Sequence, residues 1–225
     1  MRDGNVVAVL FDIDGTLITT GGAGAAAWRH AFEELYGIPA DIGRFTDNGM
    51  TDPEVGRLTF VNVIGREPSP GELARVLAVR LEHLPQAVAQ SSGYRVLDGV
   101  CRLLPWLDRH GYLLGLTTGG VEAAARFKLA RAGLNRYFPF GGYGSDSTDR
   151  TELTRRAIER ARRLRGRTLS PSSCLVVGDT PLDVAAAKGA GAVSVAVASG
   201  HFSAAELRDA GADHVLTSLE EDLPL

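Results

Sequence analysis

Apolar positions along this chain follow two rhythms: short unbroken runs, and longer stretches with a helical period. The run from Val6 to Phe11 is continuous and rich in Val, as expected of a strand buried on both faces of a parallel sheet. From about Ser92 onward, such runs alternate with amphipathic segments. Residues 97–110 predict a helix with Val100, Leu103, Leu104 and Leu107 on one face and Gly111 as its stop. Further helices are expected at 121–132, 149–164, 181–188 and 203–210, the third with Pro181 near its first turn. Strands are expected at 112–117, 138–143, 175–177, 193–198 and 213–216. Strands alternating with helices imply right-handed crossovers, so the fold class expected is α/β with a doubly wound parallel sheet.

Residues 19–91 break that alternation. They read as helices at 25–36, 52–64 and 70–84, without a convincing strand. Gly21, Gly22 and Gly24 suggest a flexible entry, and Ser91-Ser92-Gly93 marks the exit. The organisation expected is a core of residues 1–18 and 92–225 with a small α-helical cap at 19–91 inserted after the first strand.

Composition narrows the possibilities. With 225 residues, 44% of them hydrophobic, the chain can bury a full core. A net charge of -3 offers no electrostatic case for nucleic acid or an anionic membrane as a partner. No apolar run approaches 18 residues, and the start shows no basic region leading into an apolar stretch, so the expected location is the cytoplasm. Cys101 and Cys174 read as small core thiols, not as a disulfide or a metal pair. Of 24 basic residues only Lys128 and Lys188 are lysines, which makes each worth placing.

Candidate chemistry begins where the first strand ends, at Asp12-Ile-Asp14-Gly15-Thr16-Leu17. Open α/β sheets bind ligands at the carboxyl ends of their strands. Two acids this close repel each other unless they share a cation or proton. Mg²⁺ suits them, because it takes one or two carboxylates and fills its remaining positions with water and phosphate oxygens. An ordinary polar turn is the alternative at this point. Leu116-Thr117-Thr118-Gly119-Gly120 follows the second core strand, and a hydroxyl with free backbone N–H groups before a helix suits a phosphate. An ordinary strand-to-helix turn fits it equally well. Gly178-Asp179-Thr180-Pro181-Leu182-Asp183 follows a later strand, so Asp183 can reach the spot that Asp179 faces. Read alone, Asp183 would only complement its helix dipole.

Taken together, the D-x-D-G-T-L and G-D-x-x-x-D motifs and the Thr-Gly turn resemble the haloacid dehalogenase superfamily of phosphohydrolases. The resemblance spans essentially the whole chain, and the two acidic motifs are its specific part. It implies a Rossmann-like core with a cap between the first two motifs. It implies Asp12 as the nucleophile that becomes an aspartyl phosphate, and Asp14 as general acid and base. Thr118, with Gly119, would bind the phosphoryl group. Mg²⁺ would sit on Asp12, the Asp14 carbonyl and Asp179, with Asp183 as the supporting carboxylate. The implied activity is Mg²⁺-dependent hydrolysis of a small phosphomonoester by a monomer or homodimer, with no nucleic-acid or membrane partner.

The chain departs from the family in one place. A lysine usually precedes the G-D-x-x-x-D strand, whereas Ser145–Arg150 here contains none. Lys188 lies beyond Asp183 on a helix leading away and reads as a surface charge. Lys128, on the helix after Thr118, is preferred as the site cation ahead of Arg150, because a flexible ammonium suits a point contact with phosphate.

The cap contains no lysine, which argues against Schiff-base cleavage of carbon–phosphorus bonds, and Asp14 argues against a dehalogenase. Residues 45–53 resemble the cap loop of phosphoglycolate phosphatase-like members. Arg29, Arg44 and Arg57 are cap cations that could meet a second anionic group on the substrate. A sugar-phosphate mutase of the same fold and a non-catalytic binding protein are the competing readings.

Overall fold

Strand β1 (Ala8–Phe11) is wholly buried, as its unbroken apolar sequence demands. It lies within a six-stranded sheet in the computed structural model, which describes residues 6–165 and 169–225. Residues 1–5 of the expected core lie outside the described residues, as do residues 166–168. A two-residue strand β2 (Ile18–Thr19) follows, and then three helices: α1 (Ala23–Tyr36), α2 (Asp52–Ile64) and α3 (Pro70–Gln90). The chain returns through β3 (Arg95–Val96) and then alternates: α4 (Val100–Arg109), β4 (Leu113–Thr118), α5 (Glu122–Ala130), β5 (Phe140–Tyr143) and α6 (Arg150–Arg165). It ends with β6 (Cys174–Gly178), α7 (Pro181–Ala190), β7 (Val193–Val197), α8 (Ala204–Asp209) and β8 (His214–Leu216).

The strand order is β5-β4-β1-β6-β7-β8, and every pair in this sheet is parallel. From β1 the chain winds one way to β4 and β5, then crosses back to β6 and builds outward to β8. The direction of winding reverses beside β1, and a crevice opens there at the carboxyl ends of the strands. Helices cover both faces. Val9, Phe11, Leu114, Leu175 and Val177 pack against the α4 side, while Ala8, Leu10, Val176, Ala157 and Ile158 fill the α6 side.

All the expected core helices and strands form, with ends shifted by a few residues at most. β4 runs one residue further than expected, so Thr118 is its last residue. α3 overruns its expected end at Leu84 and continues through Pro85 to Gln90. Leu84 and Val88 pack against Ala23, Ala27 and Ala124, and this burial offsets the missing N–H of the proline. Cys174 is buried and its thiol is pushed up to about 12 by desolvation, but Cys101 is exposed on α4. The apolar face of α4 is made by Val100, Leu103, Leu104 and Leu107, and Cys101 falls outside that stripe.

Two features of the linkers were not anticipated. β2 and β3 pair antiparallel, Ile18 with Val96 and Thr19 with Arg95, where the chain leaves and re-enters the core. Just beyond, Gly21 lies against Gly93 so closely that a Cβ on Gly21 would stand 2.4 Å from the Gly93 backbone. Of the glycines at the entry, Gly21 thus serves close approach of the two linkers, and Ser91 Oγ adds a hydrogen bond to the Thr20 carbonyl at 2.7 Å. Between the linkers, Trp28, Phe32, Val55, Phe60 and Val76 form a hydrophobic cluster of their own.

Candidate active site

Asp12 follows the last residue of β1, and its N–H donates to the Val177 carbonyl at 2.8 Å, which continues the ladder toward β6. Its side chain is almost fully buried. Desolvation raises the Asp12 carboxyl above its ordinary range and the Asp14 charge adds to this, while Arg150 and Lys128 oppose it. Asp14 sits after the turn begins and its side chain stays 44% exposed, with the Lys128 ammonium hydrogen-bonded to its Oδ2.

Thr118 is buried at the tip of β4, and its Oγ1 accepts the Gly120 N–H at 3.3 Å. Gly119 lies beneath the helical segment: a Cβ there would stand 2.4 Å from the Met50 carbonyl oxygen. Asp179 follows β6 and accepts from Thr16 Oγ1 at 3.2 Å. Burial, with the nearby Asp12 charge as second cause, pushes its carboxyl up to about 7. Asp183, in the first turn of α7, has both oxygens engaged. Oδ2 accepts from the Thr180 N–H at 3.1 Å and its hydroxyl at 2.7 Å, and Oδ1 accepts from Arg150.

Carboxylate oxygens of Asp12, Asp179 and Asp183 all lie within 4.8 Å of one another. Three buried acids at that spacing fit a hard divalent cation, and burial holds the Asp12 and Asp179 carboxyls above their ordinary range. Asp12 and Asp179 have oxygen capacity to spare. Asp183 does not, which suits a supporting position. The Asp14 carboxylate turns to Lys128 instead of joining the cluster.

Both candidate cations are in the site. Arg150, at the start of α6, is buried between two acids, bonded to Asp183 with its Nη2 3.7 Å from Asp12 Oδ1. Its Nε and Nη1 are buried without a hydrogen-bond partner. Lys128 is also buried, so it is not one more polar residue on a solvated helix face. Lys188 is exposed, as expected.

A cavity of about 580 Å³ opens over these residues and is roofed by the helical segment. Residues of the 45–53 stretch do line it, from Thr46 to Met50 and Asp52. Arg29, Arg44 and Arg57 do not, and Arg57 is held by Glu54 and Glu67 instead. The arginines that line the cavity are Arg80, Arg95 and Arg150. Arg80 was legible in principle, since it falls at i+4 from Val76 and four before Leu84 on the buried stripe of α3. A basic residue at a core position of an amphipathic helix signals a buried partner. That partner is Asp52, in the first turn of α2.

Residues 6–191 match the model of the haloacid dehalogenase-like hydrolases. A phosphoglycolate phosphatase of Pseudomonas savastanoi pv. phaseolicola is 28% identical over 221 residues, covering 96% of this chain and 78% of that one. One of Mesorhizobium japonicum is 29% identical over 199 residues, covering 86% and 83%. The fold is shared with CbbY from Rhodobacter sphaeroides, solved in complex with phosphate, at a TM-score of 0.73 and 19% identity, with 96% of each chain covered. With residues 6–191 of its 225 matched, this chain belongs to the haloacid dehalogenase-like hydrolases.

Proposed function

We propose that the protein is a phosphatase that hydrolyses a small phosphomonoester through an aspartyl phosphate on Asp12. The observation that carries this is the contrast between its two leading acids. Asp12 is buried beside Arg150 and the acidic cluster, whereas Asp14 faces the cavity with Lys128 on its carboxylate. A buried carboxylate with few competing hydrogen bonds is placed to attack phosphorus. A carboxyl open to the cavity can protonate the leaving alkoxide and then take a proton from the incoming water. Thr118 and Lys128 would hold the phosphoryl oxygens as charge develops. Asp12, Asp179 and the Asp14 carbonyl would hold Mg²⁺, which supplies neutralisation of phosphoryl charge.

The substrate class follows from the cations of the cavity. Lys128 is committed to Asp14, Arg150 to Asp183 and Arg80 to Asp52. Arg95, on β3, lines the same cavity and has no acidic partner among the described residues. It is the cation best placed to receive a second anionic group, so a carboxylate-bearing phosphoester of the phosphoglycolate type is the preferred substrate. The similarity to two phosphoglycolate phosphatases supports the same choice. Phosphate release should be measured with Mg²⁺ on phosphoglycolate, a neutral aryl phosphate and hexose phosphates. Release from phosphoglycolate at the highest kcat/KM is the expected result. Isomerised hexose phosphate without release would establish the mutase reading instead, and no turnover of any member would leave a binding protein.

A further inference from the structure

We propose that Asp52 is a positioning residue that latches the helical segment onto the phosphate-binding turn, with Arg80 as the counter-charge that keeps the latch formed. The first residue of α2 grips that turn at two points. The Asp52 N–H donates to the Gly119 carbonyl at 2.8 Å. In return, its carboxylate Oδ2 accepts the Val121 N–H at 2.8 Å. Gly119 and Val121 bracket the backbone between Thr118 and α5, and Val121 heads that helix without a capping side chain of its own. The acid therefore satisfies the start of a helix that belongs to the other part of the molecule.

Arg80 makes the arrangement obligatory. Its side chain is 2% exposed, its Nη1 donates to the same Asp52 oxygen at 2.6 Å, and its guanidinium lies 4.9 Å from the centre of the Trp28 ring. Its Nε is buried without a partner, so Asp52 is the one acid that answers its charge among the described residues. Breaking a buried pair strands one charge and is strongly unfavourable. Trp28, Asp52, Arg80, Thr118 and Gly119 all line the one cavity, so the latch is also its wall. With the latch formed, the turn that holds phosphate is fixed before the substrate arrives. Without it, binding must supply the ordering, and apparent affinity falls by the fraction of molecules already closed.

The proposal rests on the phosphatase reading for its kinetic arm and is independent of it in a second arm. Trp28 and Trp106 are the only two tryptophans in the sequence, so a Trp106→Phe background makes Trp28 the sole indole reporter. Trp28 is buried, so opening of the segment should expose it to acrylamide. In that background, Asp52→Ala is expected to raise the Trp28 quenching constant at least twofold. Saturating inorganic phosphate with Mg²⁺ should bring it back toward the parent value. Turnover of an aryl phosphate should show KM raised about tenfold with kcat changed less than about threefold, the signature of lost pre-organisation. Asp52→Asn retains an acceptor for the Val121 N–H but leaves the Arg80 charge unanswered, and Arg80→Met keeps that acceptor and leaves the Asp52 charge unanswered. Each should give a smaller effect in the same direction, and the Asp52→Ala, Arg80→Met pair should be no worse than Asp52→Ala alone. These milder variants carry both arms if Asp52→Ala does not fold. Quenching unchanged across the series overturns the latch, whether kcat falls or not. Raised quenching that phosphate leaves unaltered overturns it too, since the pair would then be packing alone. A protein without turnover would remove the phosphatase reading and leave the quenching arm to decide.

Discussion

At the scale of single residues, two buried cations stand on opposite sides of the acids at the site. Lys128 reaches Asp14 on the open side of the site, and Arg150 sits between Asp12 and Asp183 on the closed side. The lysine is thus next to where phosphoryl oxygens would lie, while the arginine braces the acids behind them. Lys128→Ala should cut turnover by about two to three orders of magnitude, by analogy with losing about 2.7–4 kcal/mol from an oxyanion hole, and melt near the parent temperature. Arg150→Ala should instead lower the melting temperature, because it leaves Asp183 buried without its charge partner, a loss of about 3–5 kcal/mol for such pairs. Parallel kinetics and melting curves check both, and reversed outcomes would exchange the roles. Asp14→Asn tests the proton-transfer role separately. With an aryl phosphate, whose leaving group needs little protonation, it should form the phosphoenzyme and release it slowly, so that phosphate accumulates on Asp12. Peptide mass spectrometry locates it, and phosphate on any other residue would refute Asp12 as nucleophile.

At the scale of elements, the sheet was readable because strands such as β1 and β6 are short apolar runs ended by an acid or glycine, and such patterns report burial directly. The residues that touch across the chain were not readable in the same way. β2 and β3 are two residues each and carry no alternation that a window could register. Asp52 and Arg80 are separated by 28 positions and meet only because α2 and α3 pack against each other. Spacing does not announce such a pair, and residue type flags only the arginine, as a basic residue on a buried helix stripe. Arg150 was weighed against Lys128 because sequence shows charge but not reach, and the fold brings both in. One element-level consequence concerns Gly119, which has no room for a side chain beneath Met50. Gly119→Ala should push the helical segment off the turn, with an overpacking cost of about 1–3 kcal/mol. Melting curves should show that loss, and KM should rise, while an unchanged KM would mean that the segment does not bear on the turn in solution.

At the scale of the whole molecule, the acidic cluster should couple stability to pH and, if it holds Mg²⁺ as proposed, to metal. Asp179 is pushed up to about 7 and Asp12 is raised as well, both chiefly by burial. An acid with a raised folded-state pKa holds its proton longer folded than unfolded. In that window the native state binds more protons, and stability falls as pH rises. The window opens near pH 4, where an unfolded Asp titrates, and closes above about 7 for Asp179. The acids whose carboxyls are lowered, among them Glu72 and Asp146, are ionised in both the folded and the unfolded chain above about pH 5.5 and leave the slope unaltered from there upward. Metal-free protein should therefore melt at a lower temperature at pH 8 than at pH 5.5. Mg²⁺ should oppose this most strongly at pH 8, where the cluster is fully charged. At a hundred times its dissociation constant a ligand adds about 2.7 kcal/mol, which for a chain of this size is a rise of about 5–10 °C. Differential scanning calorimetry across both pH values, with chelator and with Mg²⁺, reads the effect without any substrate. A shift equal at the two pH values, or abolished by neither Asp12→Asn nor Asp179→Asn, would place the cation somewhere other than the end of β1.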